Sequence, residues 1–175
     1  MQVGLLFLLA AAFTSAASGM QPSSSKFFVL GSGSFTRKLI LKNAGYTFSV
    51  IKADIDERAI GNRSDASKAA DLVLLLANAK ADAILSRISE SFRSEVLLTA
   101  DQVVVHDNRI LEKPVDREEA RSFIEGYSRK PCSTVGSIVL TEISSGKRVS
   151  GVDTATIFFD PIPTSVIDEL LDEGE

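Results

Sequence analysis

The 175-residue chain is poor in the residues that build disulfide frameworks and structural metal sites. It contains one cysteine, Cys132, one histidine, His106, and no tryptophan. A single cysteine excludes an intramolecular disulfide, and one cysteine with one histidine excludes a structural zinc site of the usual composition. We therefore expect any bound metal to be a hard divalent cation, Mg²⁺ or Mn²⁺, held by carboxylates and phosphate.

The chain also lacks an excess of basic charge. Its 19 Lys and Arg residues face 23 Asp and Glu residues, which gives a net charge of −4 and a pI near 5.1. A surface that binds nucleic acid needs basic groups to neutralise the phosphate backbone, so we expect no nucleic-acid partner. A local group of basic side chains can still bind one small polyanion. The length predicts one domain with a sizeable core.

Residues 1–25 carry no charged side chain, and residues 4–13 are continuously apolar. This run is too short to span a bilayer, so we expect no stable membrane insertion. Three interpretations remain open: a signal or transit peptide, an extra 5′ coding stretch, or a true start at Met20. We exclude the leader from the fold and assign the domain to residues 26–175. A cytoplasmic location is expected, or an organellar or secretory one if the leader is a targeting signal.

The stretch Phe27–Leu41 organises the rest of the chain. An apolar run ending at Gly31 predicts a buried strand, and Ser34 is placed to cap a following helix. The loop Gly31–Ser34 would then present unpaired backbone N–H groups and the positive end of a helix dipole, which suits a phosphate. Arg37 in the first turn can contact phosphate oxygens. The same pattern also fits a tight strand-to-helix turn without a ligand.

The remaining chain alternates strand and helix patterns. The sequence predicts a long helix from a Ser64 cap to about Ile88, with an apolar stripe formed by Leu72, Leu76, Ala79 and Ala83. It also predicts strands at residues 46–53 and 95–105, followed by a turn at Asp107 and Asn108 and a short returning strand at Ile110 and Leu111. Further on it predicts a helix capped by Asp116, a hairpin of residues 132–143 and 148–159, and a last helix from Thr164 or Ser165. These elements favour an α/β fold, on the borderline with α+β, with a mixed sheet flanked by helices.

Charged residues stand out in three of these elements. Asp101 interrupts the otherwise apolar strand, and a carboxylate there is costly unless it is paired, bound to metal or protonated. The second predicted strand ends in an acidic run, residues 54–57. Lys80 would lie beside the apolar stripe of the long helix, near the core.

In this order the motifs resemble those of the Maf (septum formation) family of nucleoside triphosphate pyrophosphatases, especially its plant-like eukaryotic branch. The matching stretches are LGSGSFTRKLIL, ADIDE, LANAKADAI, ADQVVV and EKPVDREEA. The resemblance implies a Maf/ITPase-like fold with a central nucleotide cleft. It further implies hydrolysis between the α- and β-phosphates of modified or unusual nucleotides, which yields a monophosphate and pyrophosphate in a house-cleaning role. Whether the protein forms a homodimer is left open.

The resemblance also implies roles for individual residues. The implied catalytic residues are Asp101, Lys80 and Lys113. A divalent cation would be bound by Glu57 and Asp101, with Asp54 and Asp56 near enough to contribute. The residues implied to bind the nucleoside triphosphate substrate are Ser32, Ser34, Arg37 and Gln102.

The chain departs from the family pattern in three places. Phe35 and Thr36 replace a Pro-Arg pair, so only the second arginine, Arg37, is present. Gln102 stands where members acting on dTTP and UTP carry Thr, as in the branch acting on 7-methylguanosine triphosphate. The chain stops at Glu175, before the closing segment that we expect of the family. A non-catalytic nucleotide-binding or regulatory protein, such as an inactive truncated isoform, is the alternative function.

Overall fold

A mixed sheet with helices on both faces forms the centre of the structure, a computed structural model that describes residues 27–93 and 95–173. The leader predicted for residues 1–25 lies outside the described residues. The strands are β1 (Phe28–Leu30), β2 (Phe48–Val50), β3 (Val96–His106), β4 (Arg109–Leu111), β5 (Cys132–Glu142) and β6 (Arg148–Ile157). The helices are α1 (Phe35–Asn43), α2 (Ala69–Leu85), α3 (Arg117–Tyr127) and α4 (Thr164–Glu173).

The six-stranded sheet has the order β2-β1-β3-β5-β6, with β4 also paired to β3. The pairs β1–β2 and β1–β3 are parallel, and the other pairs are antiparallel. Helix α2 packs on one face, against Val103 and Val135, while α1 packs on the other, where Leu41 contacts Leu98. This arrangement confirms the predicted α/β fold with a mixed sheet.

The first strand and helix form as the sequence predicts. Leu30 is completely buried in β1, and the Ser34 hydroxyl caps α1 by accepting a hydrogen bond from the Arg37 N–H. The helix ends at Asn43 with Ala44 as its C-cap, and Gly45 follows with φ of +81°, a left-handed conformation that glycine adopts without steric cost.

Helix α2 differs from its prediction at its start. It begins at Ala69 rather than after Ser64, because the Asp65 carboxylate instead caps a short 3₁₀ turn, Ala66–Lys68, that leads into the helix. Its buried face includes the predicted Leu72 and Leu76. This buried face is wider than the predicted stripe, and it is rotated away from Ala79 and Ala83, which are only half-buried. The other residues buried on it are Ala69, Val73, Ala77, Lys80, Ala81 and Ile84.

The predicted hairpins and helix cap are present. Asp107 and Asn108 both have positive φ, 47° and 58°, and they join β3 to β4 in the kind of tight turn that suits these residue types. Strands β5 and β6 pair along their whole length. Asp116 caps α3 by accepting from the Glu119 N–H, and the Glu119 carboxylate accepts from the Val115 N–H.

The position of the site follows from how β3 is paired. On one edge, β5 pairs with β3 along its full length. On the other edge, β1 pairs only as far as Leu98, and β4 pairs only from Val104 onward. Residues 99–103 therefore have no strand partner on this edge among the described strands, and we call this segment the β3 opening. The loop that follows β1 and the turn that follows β4 both start at its margins.

Within residues 27–93 and 95–173, none of the helices combines the length and the apolar character that crossing a bilayer requires.

Candidate active site

Three charged side chains meet beside the β3 opening. The Lys80 Nζ lies 2.5 Å from Asp101 Oδ1 and 2.8 Å from Glu57 Oε2. Lys80 and Asp101 are each 7% exposed, whereas the Glu57 side chain is about half exposed. We refer to Lys80, Asp101 and Glu57 as the Lys80 cluster. The structure thus brings together three of the residues that the sequence singled out for catalysis or metal binding.

Hydrogen bonds between the sheet and the backbone of α2 hold Lys80 in place. The Thr99 hydroxyl donates to the Ala77 carbonyl at 2.8 Å, and the Ser137 hydroxyl donates to the Val73 carbonyl at 2.7 Å. Both residues are buried, so these bonds fix the rotation of α2 against β3 and β5. Lys80 lies on the same buried face of the helix, which directs its long side chain toward Asp101 rather than into solvent.

Asp101 is in an environment that disfavours its charged form. Burial raises the pKa of the Asp101 carboxyl above its usual value, and the Lys80 ammonium opposes the rise. The nearby Glu57 charge raises the pKa further, while Arg37 lowers it. A carboxylate with a raised pKa binds a proton more readily, so it is better suited to accept one near neutral pH.

The loop Gly31–Ser34 brings Arg37 to the same region. The Ser32 hydroxyl accepts hydrogen bonds from the Ser34 N–H at 3.2 Å and from Arg37 Nη1 at 3.0 Å. Arg37 Nε is buried without a hydrogen-bond partner within the described part of the chain. Burial lowers the pKa of Arg37, and the charges of Asp101 and Glu57 oppose this. The guanidinium stays protonated and has an unused donor, as expected of a group that binds an anion.

Arg63 connects the acidic segment to the turn after β4, and no sequence motif singled it out. Its Nη2 donates to the Glu57 carbonyl at 2.7 Å and its Nη1 donates to the Ile60 carbonyl. The same guanidinium binds both oxygens of Glu112, at 3.1 and 3.2 Å. Because Glu112 is 49 positions away in the chain, no local pattern could have revealed this contact.

Lys113 does not join the Lys80 cluster by any described hydrogen bond or ion pair. It is exposed and lines a cavity of about 360 Å³ together with Arg58, Arg63 and Arg109. We call this space the cationic cavity. Strand β4 runs toward the β3 opening and ends at its margin, and Lys113 lies two residues after that end. Its predicted role in catalysis stays a prediction.

The other predicted residues lie around the cluster. Gln102 is half-buried and, by the alternation along β3, faces the side of the sheet away from α2. Ser34 serves as the cap of α1. Asp54 is exposed, and Asp56 accepts a hydrogen bond from the Arg58 N–H at 3.1 Å.

Taken together, this region can hold a phosphorylated ligand and transfer a proton. Arg37 and Lys80 supply positive charge, and Asp101 supplies a carboxylate with a raised pKa. Nucleophilic attack of water on phosphorus requires these elements: neutralised phosphate oxygens and a group that can accept the proton of the water.

Known proteins of one family resemble this chain over most of its length. Residues 27–175 match the family described as Maf-like protein. The 7-methyl-GTP pyrophosphatase of Dictyostelium discoideum is 38% identical over 156 residues, which cover 87% of this chain and 77% of that protein. The dTTP/UTP pyrophosphatase of Vibrio vulnificus strain YJ016 is 33% identical over 147 residues, which cover 84% of this chain and 74% of that protein.

Similarity to solved structures is more distant. The Ham1 protein of Staphylococcus aureus is similar with a TM-score of 0.42 and 14% identity, over 75% of this chain and 70% of that chain, which is too remote to bear on fold or function. Because the family match covers residues 27–175 and two relatives are at least 33% identical over most of their length, the chain belongs to the Maf family.

Proposed function

We propose that the protein is a nucleoside triphosphate pyrophosphatase. It would hydrolyse the bond between the α- and β-phosphates of modified or unusual nucleotides, releasing a nucleoside monophosphate and pyrophosphate in a house-cleaning role. Both curated relatives are named pyrophosphatases of nucleoside triphosphates, in agreement with the prediction from the sequence. The observation that carries the proposal is the convergence of Arg37 and the Lys80 cluster beside the β3 opening.

In this proposal each residue of the site has a defined task. Arg37 and Ser32 bind phosphate oxygens, Ser34 orders the loop that carries Ser32, and Lys80 neutralises negative charge beside the reacting phosphorus. As the general base, Asp101 would accept a proton from the attacking water at the oxygen that Lys80 does not bind; its alternative role is that of a ligand to a divalent cation. Because the raised pKa of this carboxyl lies closer to neutrality, the transfer is more favourable than to an ordinary aspartate.

We further propose that a divalent cation, Mg²⁺ or Mn²⁺, takes part. Among the described residues no three His, Cys, Asp or Glu side chains converge as a ligand set. Mg²⁺ at nucleotide sites is bound by one or two carboxylates together with substrate phosphates, and Glu57 and Asp101 supply such a pair around one Lys80 ammonium. These residues fit the cation, and Glu57 and Asp101 would hold it. When bound, it would stabilise negative charge on phosphate oxygens.

We propose a 7-methylguanosine-type base as the first substrate to test. Gln102 stands at the position that distinguishes the two branches of the family, and the relative named for 7-methyl-GTP is 38% identical, compared with 33% for the one named for dTTP and UTP. Gln102 faces away from the Lys80 cluster, so it would contact the base only across the edge of β3.

The test is pyrophosphate release from a panel containing 7-methyl-GTP, UTP, dTTP and the common triphosphates, with Mg²⁺ or Mn²⁺. We expect turnover of at least one modified nucleotide.

The variant Asp101→Asn should abolish turnover with an unchanged circular dichroism spectrum. The variant Lys113→Ala should chiefly weaken binding of the triphosphate. Binding without turnover of any nucleotide would favour a non-catalytic nucleotide-binding protein. Full activity of folded Asp101→Asn would remove Asp101 from the mechanism.

Two expectations about the whole protein are also part of the proposal. Strand β6 is one of the two edge strands of the sheet and its residues are largely exposed, so its outer edge can pair with a second copy of the chain. A homodimer is tested by sedimentation equilibrium.

The proposed cytoplasmic location is tested by imaging a fusion that retains residues 1–25.

A further inference from the structure

We propose that the cationic cavity binds the diphosphate end of the substrate and, after hydrolysis, the pyrophosphate product, and that Arg58 and Arg109 are ligands of this subsite. The inference rests on the proposed function and extends it, because no sequence motif assigned a role to either arginine.

The cavity carries unpaired positive charge. Among the described residues, Arg58, Arg109 and Lys113 form no ion pair, although all three line the same space of about 360 Å³. The carboxylates that line it are engaged: Glu112 binds Arg63 through both oxygens, and Glu119 accepts a hydrogen bond from the Val115 N–H. In a chain with a net charge of −4, such a group of unpaired cations is unusual and suits a compact polyanion.

Chain neighbours and the contacts of Arg63 connect the lining of the cavity to the Lys80 cluster. Arg58 directly follows Glu57, whose carboxylate lies 2.8 Å from Lys80 Nζ. Arg63 binds the Glu57 carbonyl with the same guanidinium that holds Glu112, the residue before Lys113. An α-phosphate bound at the Lys80 cluster would therefore have the cationic cavity beside it.

The balance of charge decides which end of the triphosphate enters the cavity. On the other side of the cluster the cation is Arg37, whose charge is offset by those of both Asp101 and Glu57. Of the three unpaired cations in the cationic cavity, only Arg109 has a comparable acidic neighbour among the described residues, Asp107. The diphosphate end carries more negative charge than the α-phosphate, so it is favoured on the side where the basic groups are unpaired.

The reaction adds to this preference. The oxygen of water forms a bond to the α-phosphorus, the bond from that phosphorus to the bridging oxygen breaks, and the electron pair leaves with the pyrophosphate while water gives up one proton. Negative charge thus develops on the leaving group. Cations fixed around the cavity stabilise it as it forms.

Product inhibition tests the subsite, because pyrophosphate contains the diphosphate end and the nucleoside monophosphate does not. Arg58→Ala and Arg109→Ala should each raise the inhibition constant of pyrophosphate by about tenfold, the usual effect of losing one charge-assisted contact. Inhibition by the monophosphate should not change. Arg129→Ala is the matched control, since Arg129 does not line the cationic cavity and pairs with Glu125; it lies in a neighbouring cavity that Arg109 also borders.

The outcomes are distinct. The proposal would be overturned if the inhibition constants of pyrophosphate and of the monophosphate rose equally. It would also be overturned if the inhibition constant of pyrophosphate did not change in either folded variant. Inhibition by pyrophosphate that is not competitive with the triphosphate would likewise overturn it, since this would indicate a separate anion site. If the chain hydrolyses no nucleotide, calorimetric titration with pyrophosphate alone still tests the subsite: loss of binding in Arg58→Ala and Arg109→Ala, but not in Arg129→Ala, would support it. Thermal melts verify that each variant folds.

Discussion

Asp101 and Lys80 are two oppositely charged side chains buried together in the sheet–helix interface. Burying both charges costs a desolvation energy that their attraction only partly offsets, so such a pair is a weak source of stability. Apolar residues of similar size would pack at least as well at these positions. The pair is therefore better explained by the chemistry that we propose for it than by the stability of the fold.

The raised pKa of Asp101 predicts how stability depends on pH in the metal-free protein. Since the folded state binds the proton more tightly than the unfolded chain, Asp101 contributes stability below its ordinary pKa, and that contribution is lost as the pH rises through the raised value. The free energy of unfolding of Asp101→Asn, relative to the wild type, should therefore increase as the pH rises above the ordinary pKa of an aspartate. Urea denaturation in the presence of EDTA measures it.

Asp107 provides a control with the opposite sign. The Lys130 ammonium, through a hydrogen bond and its charge, lowers the pKa of Asp107, so this carboxylate contributes stability above its ordinary pKa that is lost as the pH falls. Asp107→Asn tolerates the positive φ at this position, and its relative stability should decrease as the pH rises. Parallel trends for the two variants would contradict the assignment.

The convergence of Asp101 and Lys80 could be anticipated from the sequence, because the chemistry of each residue conflicts with its apolar neighbours. Asp101 interrupts an apolar strand and Lys80 accompanies an apolar helix stripe, so both were recognisable before the fold was known. Arg63 was not, because a surface arginine in a polar segment has no local conflict to reveal it. Its role depends on a partner that only the folded chain brings near.

At the scale of elements, the junction between β1 and α1 depends on close packing at Gly31. A Cβ at this position would lie 2.6 Å from Thr99 Cγ2 and 2.8 Å from Ile84 Cδ1, both in the core. Gly31→Ala should therefore destabilise the protein by roughly 1–3 kcal/mol, the usual cost of overpacking, as measured by urea denaturation.

Gly33, two residues along the same loop, is the matched control. Its added Cβ would lie 3.0 Å from Lys52 Cε, which belongs to a flexible and exposed side chain that can move away. Gly33→Ala should leave the free energy of unfolding nearly unchanged. Equal destabilisation by the two substitutions would contradict packing against the core as the cause.

Arg63 should act as a positioning residue that joins the Glu57 segment to the turn after β4. Arg63→Ala should lower kcat/KM by about tenfold by misplacing Glu57 and Lys113. It should also raise the Mg²⁺ or Mn²⁺ concentration needed for half-maximal activity. A double-mutant cycle with Glu112→Gln should give a coupling energy of about 1 kcal/mol in stability, as for an exposed bidentate pair.

The variant Arg148→Ala is the control that distinguishes a positioning role of Arg63 from a purely structural one. Arg148 also joins two elements, β6 and α2, through Asn78 and Asp82, and its side chain is about as exposed as that of Arg63. Arg148→Ala should lower stability and leave the metal dependence of activity unchanged. If Arg63→Ala behaves in the same way, Arg63 has no positioning role.

Elements were best predicted where local chemistry determines them. The turn at Asp107 and Asn108, the Ser34 cap and the Asp116 cap are encoded within a few residues and were all found as expected. The start and face of α2 were not, because Asp65 competes with Ser64 as a cap, and the buried face is set by hydroxyl contacts from β3 and β5.

At the scale of the whole molecule, net charge should determine which polyanions bind. The cationic cavity offers local positive charge, but the chain as a whole carries a charge of −4, which opposes a long phosphate backbone. We expect no measurable binding to a single-stranded DNA oligonucleotide at physiological salt, by fluorescence anisotropy. Micromolar affinity that weakens with added salt would contradict this expectation.

The order of the strands could not be predicted from the sequence, although the fold class could. Alternation of helix and strand patterns indicates a mixed sheet, but it does not show that β3 lies between β1 and β5. The placement of Lys113 in a cavity next to the Lys80 cluster, rather than within it, depends on that order and on the short length of β4.

The short strands β1 and β4 also set the length of the β3 opening, through which a ligand would reach the Lys80 cluster. Three-residue strands border the unpaired segment on both sides, and each stops before meeting the other. An insertion that prolonged β4 past Leu111 would continue its ladder of hydrogen bonds toward Thr99 and close the passage. Such a protein would keep every charged side chain of the site and still exclude its ligand.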